Sequence, residues 1–599
     1  AKKLGPMAKK VWSGTFHGFG LQFLKEHHEI AKLPKKFGVI DTSDSEAILR
    51  DLMHDLKDFD KEDLNRSQIL NFISEIRQRG KLSEYNETSE AAAATLLAPK
   101  FMKQLHLLGV VDFEELLLRP LKILRNHQDL KEKMQRRFDY VMVDEFQDTN
   151  LTQMRLIDEL INEKRNITVV GDDDQSIYGW RGAEIQNILS FPNRYKGCEV
   201  IRLERNYRST PPILNLANSI IATNKDRHVK ALIPSLDEEG RVPELFIFEN
   251  EEVEVDEIVR ELNKFHNEGF AWRDMALLYR SNSQGALMEG ALRRSQIPYK
   301  ITGGSALFDR KEVKDILAYI RCAVFPNEIA LRRVINLPAR GLGEKAIESI
   351  LNSKGRTFPG KALNWAKENP EDKAAQALSK FFDFLDHLKE DLVQEKESAE
   401  TLLCDHLRQL GYRDYISRSY KSSAAIEARW LSASILGRIL DGMFSRNGRT
   451  LDTLENFVNC MELQDPVEDK EGQIIDEVQL MTLHACKGLE FPIVFLMGLE
   501  EDLLPHARLG TNTDEERRLF YVGVTRAKKH LMLTRVRQRK RYGRLQTAAP
   551  SRFLLEIDPQ LFCELPDGRP LAVGEKDAML KALFQKLHRQ KSEKDSVDI

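Results

Sequence analysis

After Phe138 the sequence repeats one pattern: a short apolar run, a polar turn, then a stretch with helical spacing. The runs are "YVMV" ending at Val143, "ITVV" at Ile167–Val170, "EVIRL" at Glu199–Leu203, "ELFIF" at Glu244–Phe248 and "MALLY" at Met275–Tyr279. Strands that alternate with helices imply parallel sheets covered on both faces. The pattern stops from about Arg321 to Asp476, where the sequence is helical and charged. It resumes with "VQLMTL" at Val478–Leu483, "PIVFLMGL" at Pro492–Leu499 and "HLMLTRV" at His530–Val536. A helical block is thus inserted into a second α/β unit. Residues from about Leu21 to Arg137 are also mostly helical. There "SEAILRDLMHDL" and "VDFEELLLRPLKIL" set their apolar residues on one helical face. The polar "KLSEYNETSEAAAATLL" reads as a loop entering a helix. The tail after about Pro559 ends in "KLHRQKSEKDSVDI" and is expected to be disordered.

A chain of 599 residues has room for several cores, about four domains by length alone. Its 90 basic and 93 acidic residues nearly balance, so any nucleic-acid surface must be local. Six scattered cysteines (Cys198, Cys322, Cys404, Cys460, Cys486, Cys563) include no close pair. That argues against a zinc site, a cluster or a disulfide framework, and fits a reducing cytosol. No apolar run approaches the ~18 residues of a membrane span.

"VMVDEFQDTN", Val141 to Asn150, is a strand that ends in two carboxylates. That places Asp144 and Glu145 at the carboxyl end of a sheet, where α/β ligand sites form. Asp144 suits Mg²⁺, a hard cation that takes oxygen ligands. Glu145 could orient or deprotonate an attacking water. Alone, an Asp-Glu pair is more often an exposed acidic turn. Such a site also needs a glycine-rich phosphate loop with a lysine. The one near match is "GRTFPGKA", Gly355 to Ala362. It lacks the hydroxyl residue that ligates Mg²⁺, follows a helical stretch and lies in the helical block. We read it as a turn.

Further along come "VVGDDDQSIYGWRGA" (Val169–Ala183), "LERNYRST" (Leu203–Thr210), "MTLHACKGLEFPIVFLMGLEEDLLPH" (Met481–His506) and "EERRLFYVGVTRAKK" (Glu515–Lys529). With the carboxylate turn, and in this order, they resemble motifs II to VI of superfamily 1A DNA helicases of the UvrD/Rep/PcrA group. "SGTFHGFG", Ser13 to Gly20, resembles motif Ib of that group, and "YRSNSQ", Tyr279 to Gln284, its motif IVa. The resemblance covers nearly the whole chain. It implies two RecA-like P-loop NTPase motor domains with parallel sheets, each carrying a mainly helical inserted domain. The expected first motor domain is 1–20 with 138–204, and its insertion 21–137. The second is 205–320 with 476–558, its insertion 321–475, and the tail 559–599. Motif Ib starts about a dozen residues in, so truncation of the family's first motor domain ahead of that motif is the expectation. The adenine-reading glutamine motif, the phosphate loop and motif Ia are then absent from these residues.

The resemblance also implies roles. Glu145 and Gln175 are catalytic, with Gln175 sensing the γ-phosphate. Arg208 and Arg526 are the paired arginines on that phosphate, where guanidinium forks neutralise spreading charge. Tyr207 stacks on adenine and Glu490 contacts the nucleotide sugar. Trp180 is the stacking tryptophan for single-stranded DNA, with Tyr178 and Arg181 beside it. Phe16, His17, Arg280, Asn282, His484 and Phe553 are further DNA contacts. Aromatic faces bind single strands without sequence preference. "LPARGLGEKAI", Leu337 to Ile347, resembles the element that holds duplex DNA, with Gly341 and Gly343 letting backbone N–H groups approach phosphates. Leu342 stands where the family usually has isoleucine. "RVRQRKRYGR", Arg535 to Arg544, has six basic residues in ten, either a solvated face or a phosphate contact.

The expected activity is an ATP- and Mg²⁺-dependent 3′–5′ DNA helicase with single-strand-stimulated ATPase, inactive without a phosphate loop. Its expected partners are single-stranded DNA, single/double-strand junctions and repair or replication proteins. It would be a monomer or a DNA-induced dimer in the bacterial cytoplasm, near the nucleoid. The rival reading is a non-motor DNA-binding or scaffold protein derived from such a helicase. The loop's absence favours the rival; the intact Asp144, Glu145, Gln175, Arg208 and Arg526 oppose it.

Overall fold

The computed structural model describes residues 11–54, 56, 64–82, 88–236, 238–304, 306–420, 423–462, 475–506, 512–541 and 544–566. The chain divides into two compact units. One holds residues up to Arg202 together with 226–229; the other holds the rest.

The first unit is mostly helical. Thr15 caps the helix Phe16–Glu26 by accepting from Gly18 N at 3.1 Å. This helix crosses the helix Glu115–Asn126 at Gly20, where a Cβ would sit 1.7 Å from the Leu116 carbonyl oxygen. Only glycine permits that approach. The helices Thr42–Met53, Arg66–Arg79 and Ser89–Leu108 enclose a separate core of Leu49, Ile69, Ile73, Leu97, Phe101 and Leu105. Part of the expected loop before Ser89 lies outside the described residues. The strands Val141–Val143 and Ile167–Val169 pair in parallel. Val143, Ile167 and Val169 turn toward Met154 and Ile157 of the helix Leu151–Leu160, whereas Met142 on the opposite face is 76% exposed. "EVIRL" is not a strand, contrary to the sequence pattern. Its Val200, Ile201 and Leu203 are exposed. β-propensity alone does not make a strand; a ladder partner does.

The second unit is built on a seven-stranded parallel sheet. The strand order is 563–566, 244–248, 527–536, 491–496, 275–279, 478–482, 299–302. The interior strand Met275–Tyr279 is buried throughout, as a parallel strand covered on both faces should be. After Thr302 the chain leaves the sheet and runs through helices from Lys311–Val324 to Leu451–Glu462, then returns at Val478. These helices close their own core around Tyr319, Phe381, Leu436 and Phe457.

Ion pairs fasten this helical block to the sheet region. Arg438 pairs with Glu251 and Glu252, Arg446 with Asp256, and Lys540 with Glu400. At the centre is Arg539, which reaches Glu500 at 2.7 Å, Glu251 at 3.0 Å and Glu254 at 3.1 Å. The three carboxylates keep its guanidinium charged against the cost of burial. Burial pushes Glu254 above the usual carboxylate range, and the Glu500 charge adds to this. The basic run at Arg535–Arg544 is therefore not a simple phosphate stripe. Arg539 and Lys540 point inward to acids, in the hairpin Gln538–Arg541 with Arg544–Thr547.

The tail also departs from expectation. Cys563–Pro566 adds a strand at the sheet edge, parallel to Glu244–Phe248. An edge strand tolerates its closing proline because one side needs no donor. Residues 567–599 lie outside the described residues.

Removing Arg539 would leave Glu254 and Glu500 buried without their shared cation, and Glu251 with Arg438 alone. Arg539→Ala is expected to destabilise the second unit by about 3–5 kcal/mol. Urea unfolding followed by circular dichroism checks this.

Candidate nucleotide and DNA site

In the first unit, the strand Val141–Val143 delivers Asp144 and Glu145 to its carboxyl end. Glu145 has φ +52°, in the left-handed region that a glutamate rarely adopts. Asp144 Oδ1 accepts from Glu145 N at 2.9 Å. The fully buried Gln147 donates from Nε2 to Glu145 Oε2 at 2.6 Å. Its Oε1 accepts from Asp172 N at 3.0 Å. Asp172 Oδ2 then accepts from Gln175 Nε2 at 2.7 Å. One line of hydrogen bonds, passing through the Asp172 backbone N–H, therefore runs Glu145–Gln147–Asp172–Gln175. At Gly171 a Cβ would lie 2.4 Å from Gln147 Oε1, so glycine here leaves the room that this amide occupies.

Three residues past Gln175 begins the aromatic turn. Trp180 is 54% exposed, and the Arg181 guanidinium sits 4.4 Å from its ring centroid and 5.7 Å from that of Tyr178. This is a flat, cationic, solvent-facing surface of the kind on which a base stacks. Phe16 is half-buried and packs against both apolar clusters beside the turn, which gives it a structural role. His17 lies edge-on to Phe113, 6.0 Å between centroids. Burial lowers its pKa below the usual 6.5.

In the second unit Arg208, Glu490 and a third residue meet. Arg208 Nε donates to Glu490 Oε2 at 2.6 Å, and Lys528 Nζ lies 2.7 Å from Glu490 Oε1. The bonds from Lys528 and Arg208 hold the Glu490 carboxyl below its usual range. Tyr207 beside them is 70% exposed. Lys528 was not singled out by the sequence, because a lysine after "TRA" gives no local sign of its partner 38 residues upstream. Arg526 is 2% exposed. Its donors go to the Val522 carbonyl at 2.9 Å, the Leu489 carbonyl at 3.1 Å and Thr525 Oγ1 at 3.0 Å.

The other expected DNA residues divide. Arg280 is buried in a two-bonded pair with Glu516, at 3.0 and 2.7 Å. Phe553 is buried against Phe520, with 6.1 Å between nearly parallel rings. Both are packing residues in this structure. Asn282 is exposed at the start of the helix Asn282–Arg294, and His484 is half-buried in the turn after Val478–Thr482. Gly341, at φ +78°, and Gly343 are exposed, with nothing near either Cα where a Cβ would stand. Asn336 Oδ1 accepts from Arg340 N at 2.7 Å and Leu342 N at 3.3 Å, which shapes that loop. "GRTFPGKA" is a capped helix start: Thr357 accepts from Gly360 N at 3.3 Å and Lys361 Nζ binds the Leu351 carbonyl at 2.7 Å.

Among the described residues no group of three or more His, Cys, Asp or Glu converges on a point. A single carboxylate at Asp144 fits Mg²⁺, which takes one or two carboxylates and completes its shell with phosphate oxygens and water. No described helix is long and apolar enough to cross a membrane.

The family comparisons agree with this arrangement. A model described as the UvrD/REP helicase N-terminal domain matches residues 1–196, and one described as the UvrD-like helicase C-terminal domain matches 201–538. The chain belongs to the UvrD-like helicase family. A relative called ATP-dependent DNA helicase PcrA, from Staphylococcus epidermidis, is 33% identical over 579 residues, covering 93% of this chain and 77% of the relative. A protein of the same name from Staphylococcus aureus is 32% identical over 591 residues, 96% of this chain and 80% of its own length. In this UvrD-like chain the two RecA-like regions carry the residues described above on separate units.

The low pKa of His17 keeps it neutral at pH 7. The unfolded chain binds its proton more readily, so stability is lost as pH falls below 6.5. His17→Gln should flatten that acid slope in thermal melts. It should also leave the salt dependence of any DNA binding unchanged at neutral pH.

Proposed function

We propose that this UvrD-like chain is built as an ATP-dependent 3′–5′ translocase and helicase on single-stranded DNA. The observation that carries the reading is the hydrogen-bond line Glu145–Gln147–Asp172–Gln175, which ends beside the exposed Trp180–Arg181 surface. A carboxylate suited to water activation is thereby tied to a surface suited to bases. Gln147 fixes Glu145, so Glu145 is positioned to orient the attacking water or take its proton. Asp144 would hold Mg²⁺, which neutralises charge on the transferred phosphoryl group. Gln175 senses the γ-phosphate through the same line. Arg208 supplies positive charge to the phosphates, and Glu490 holds it in the resting arrangement. Tyr207 offers its exposed ring to adenine. Arg526 acts indirectly, by fixing Leu489 and Thr525 next to Glu490 and Arg208. Gly341 and Gly343 offer backbone donors to a duplex at a single/double-strand junction. Repair or replication is the cellular setting we propose, with a monomer or a DNA-induced dimer as the working form.

A second reading is a non-motor DNA-binding or scaffold protein, which would use the exposed Trp180–Arg181 surface without nucleotide turnover. ATP hydrolysis with oligo(dT) separates the two. The 599-residue chain should bind oligo(dT) yet turn over ATP no faster than background. Joined at its N-terminus to the phosphate-loop segment of a relative, it should hydrolyse ATP with single-strand stimulation. Failure of that joined chain, when folded, establishes the non-motor reading. In either case Trp180→Ala should weaken oligo(dT) binding by about 1–3 kcal/mol, measured by fluorescence anisotropy.

A further inference from the structure

Three consecutive aspartates precede Gln175, and they serve different partners. Asp172 orients Gln175 at 2.7 Å. Asp173 and Asp174 are 2% and 1% exposed, and both are held by one short segment, residues 226–229. Arg227 closes a two-bonded pair on Asp174, Nε to Oδ1 at 2.8 Å and Nη2 to Oδ2 at 2.7 Å. His228 N donates to Asp173 Oδ2 at 2.8 Å. The Arg227 and Asp174 side chains are 12% and 1% exposed, so water does not screen the pair. A planar guanidinium on both oxygens fixes the carboxylate's orientation as well as its place.

The grip reaches Gln175 within one turn. Asp174 N donates to Asp172 Oδ1 at 3.2 Å, and Gln175 N donates to the Asp172 carbonyl at 2.9 Å. The carboxylate held by Arg227 and the carboxylate that aims Gln175 are thus parts of one hydrogen-bonded unit. Ser176 Oγ ties its far end to the Gln147 carbonyl at 3.2 Å, and the Tyr178–Arg181 turn follows directly. A buried ion pair is a weak source of net stability, because desolvation offsets attraction. Its consequence here is geometric.

We propose that Arg227 is a positioning residue: it locks the Asp173–Gln175 turn and so sets the aim of Gln175 and the seat of Trp180. This rests on the reading above, in which Gln175 and Trp180 serve nucleotide and single-stranded DNA. Arg227 acts on them only through the turn.

The test uses the 599-residue chain with Arg227→Met, Arg227→Lys and Asp174→Asn. Hydrogen exchange is read over Asp172–Gly182, and oligo(dT) binding by anisotropy. In Arg227→Met we expect faster exchange at Gln175 and Ser176, with unchanged exchange in the seven-stranded sheet. Oligo(dT) binding should weaken about tenfold, the stacking of one base. Arg227→Lys keeps the charge without the fork and should fall between. A merely structural pair would lower stability without this local pattern. Wild-type exchange over Asp172–Gly182, or faster exchange with undiminished binding, overturns the proposal. If wild type itself fails to bind oligo(dT), the functional reading has failed, and exchange alone decides whether Arg227 locks the turn. If Arg227→Met does not fold, the isosteric Asp174→Asn and the Arg227→Lys variants are judged by the same two readouts.

Discussion

A single buried amide, that of Gln147, joins the two chemistry-bearing turns of the first unit. It spends its donor on Glu145 and its acceptor on the Asp172 backbone, so neither end is left unsatisfied in a dry setting. An amide suits this task because it donates and accepts at once. A carboxylate in its place would set like charge against Glu145, and an apolar residue would leave the Asp172 N–H without its acceptor. The neighbouring Gly171 lets the amide in. Strand ends supply the residues, but this bond gives them a shared geometry.

The second unit solves a different problem by similar means. A helical block of some 150 residues leaves a parallel sheet and returns to it, so the junction must be specified apart from the two cores. Acids of the helix Glu251–Asn267 and bases of Ser423–Asn447 do this, with Arg539 gathering three carboxylates at the base. Such pairs specify orientation more than they add stability. They also account for two residues of the basic run, Arg539 and Lys540, which turn toward acids.

Much of this was legible in the sequence, for identifiable reasons. Strand runs such as "MALLY" and "PIVFLMGL" are buried on both faces and carry little ambiguity. Trp180 was legible because a tryptophan within a dense polar turn has no core to enter. The burial of Arg280 and Phe553 was not legible, because exposure is not a local property. The partner that buries Arg280, Glu516, lies 236 residues away. The burial of Arg526 was hidden in the same way: its carbonyl acceptors come from the end of the preceding helix and from Leu489, which no spacing rule reveals. "EVIRL" had strand composition but no ladder, and the tail's Cys563–Pro566 had a ladder without strand composition.

Glu145 carries a further consequence in its backbone. A left-handed φ on a glutamate costs on the order of 1 kcal/mol or more, which glycine or asparagine would largely avoid. At this position, then, random substitution and folding pull against the chemistry: the residues that the chain would adopt most comfortably are those that abolish the acid. A library selected for thermostability alone would drift toward glycine here. Under the role proposed for Glu145, the same library selected for turnover would hold the carboxylate and accept the strain, so position 145 would report which pressure a lineage has felt.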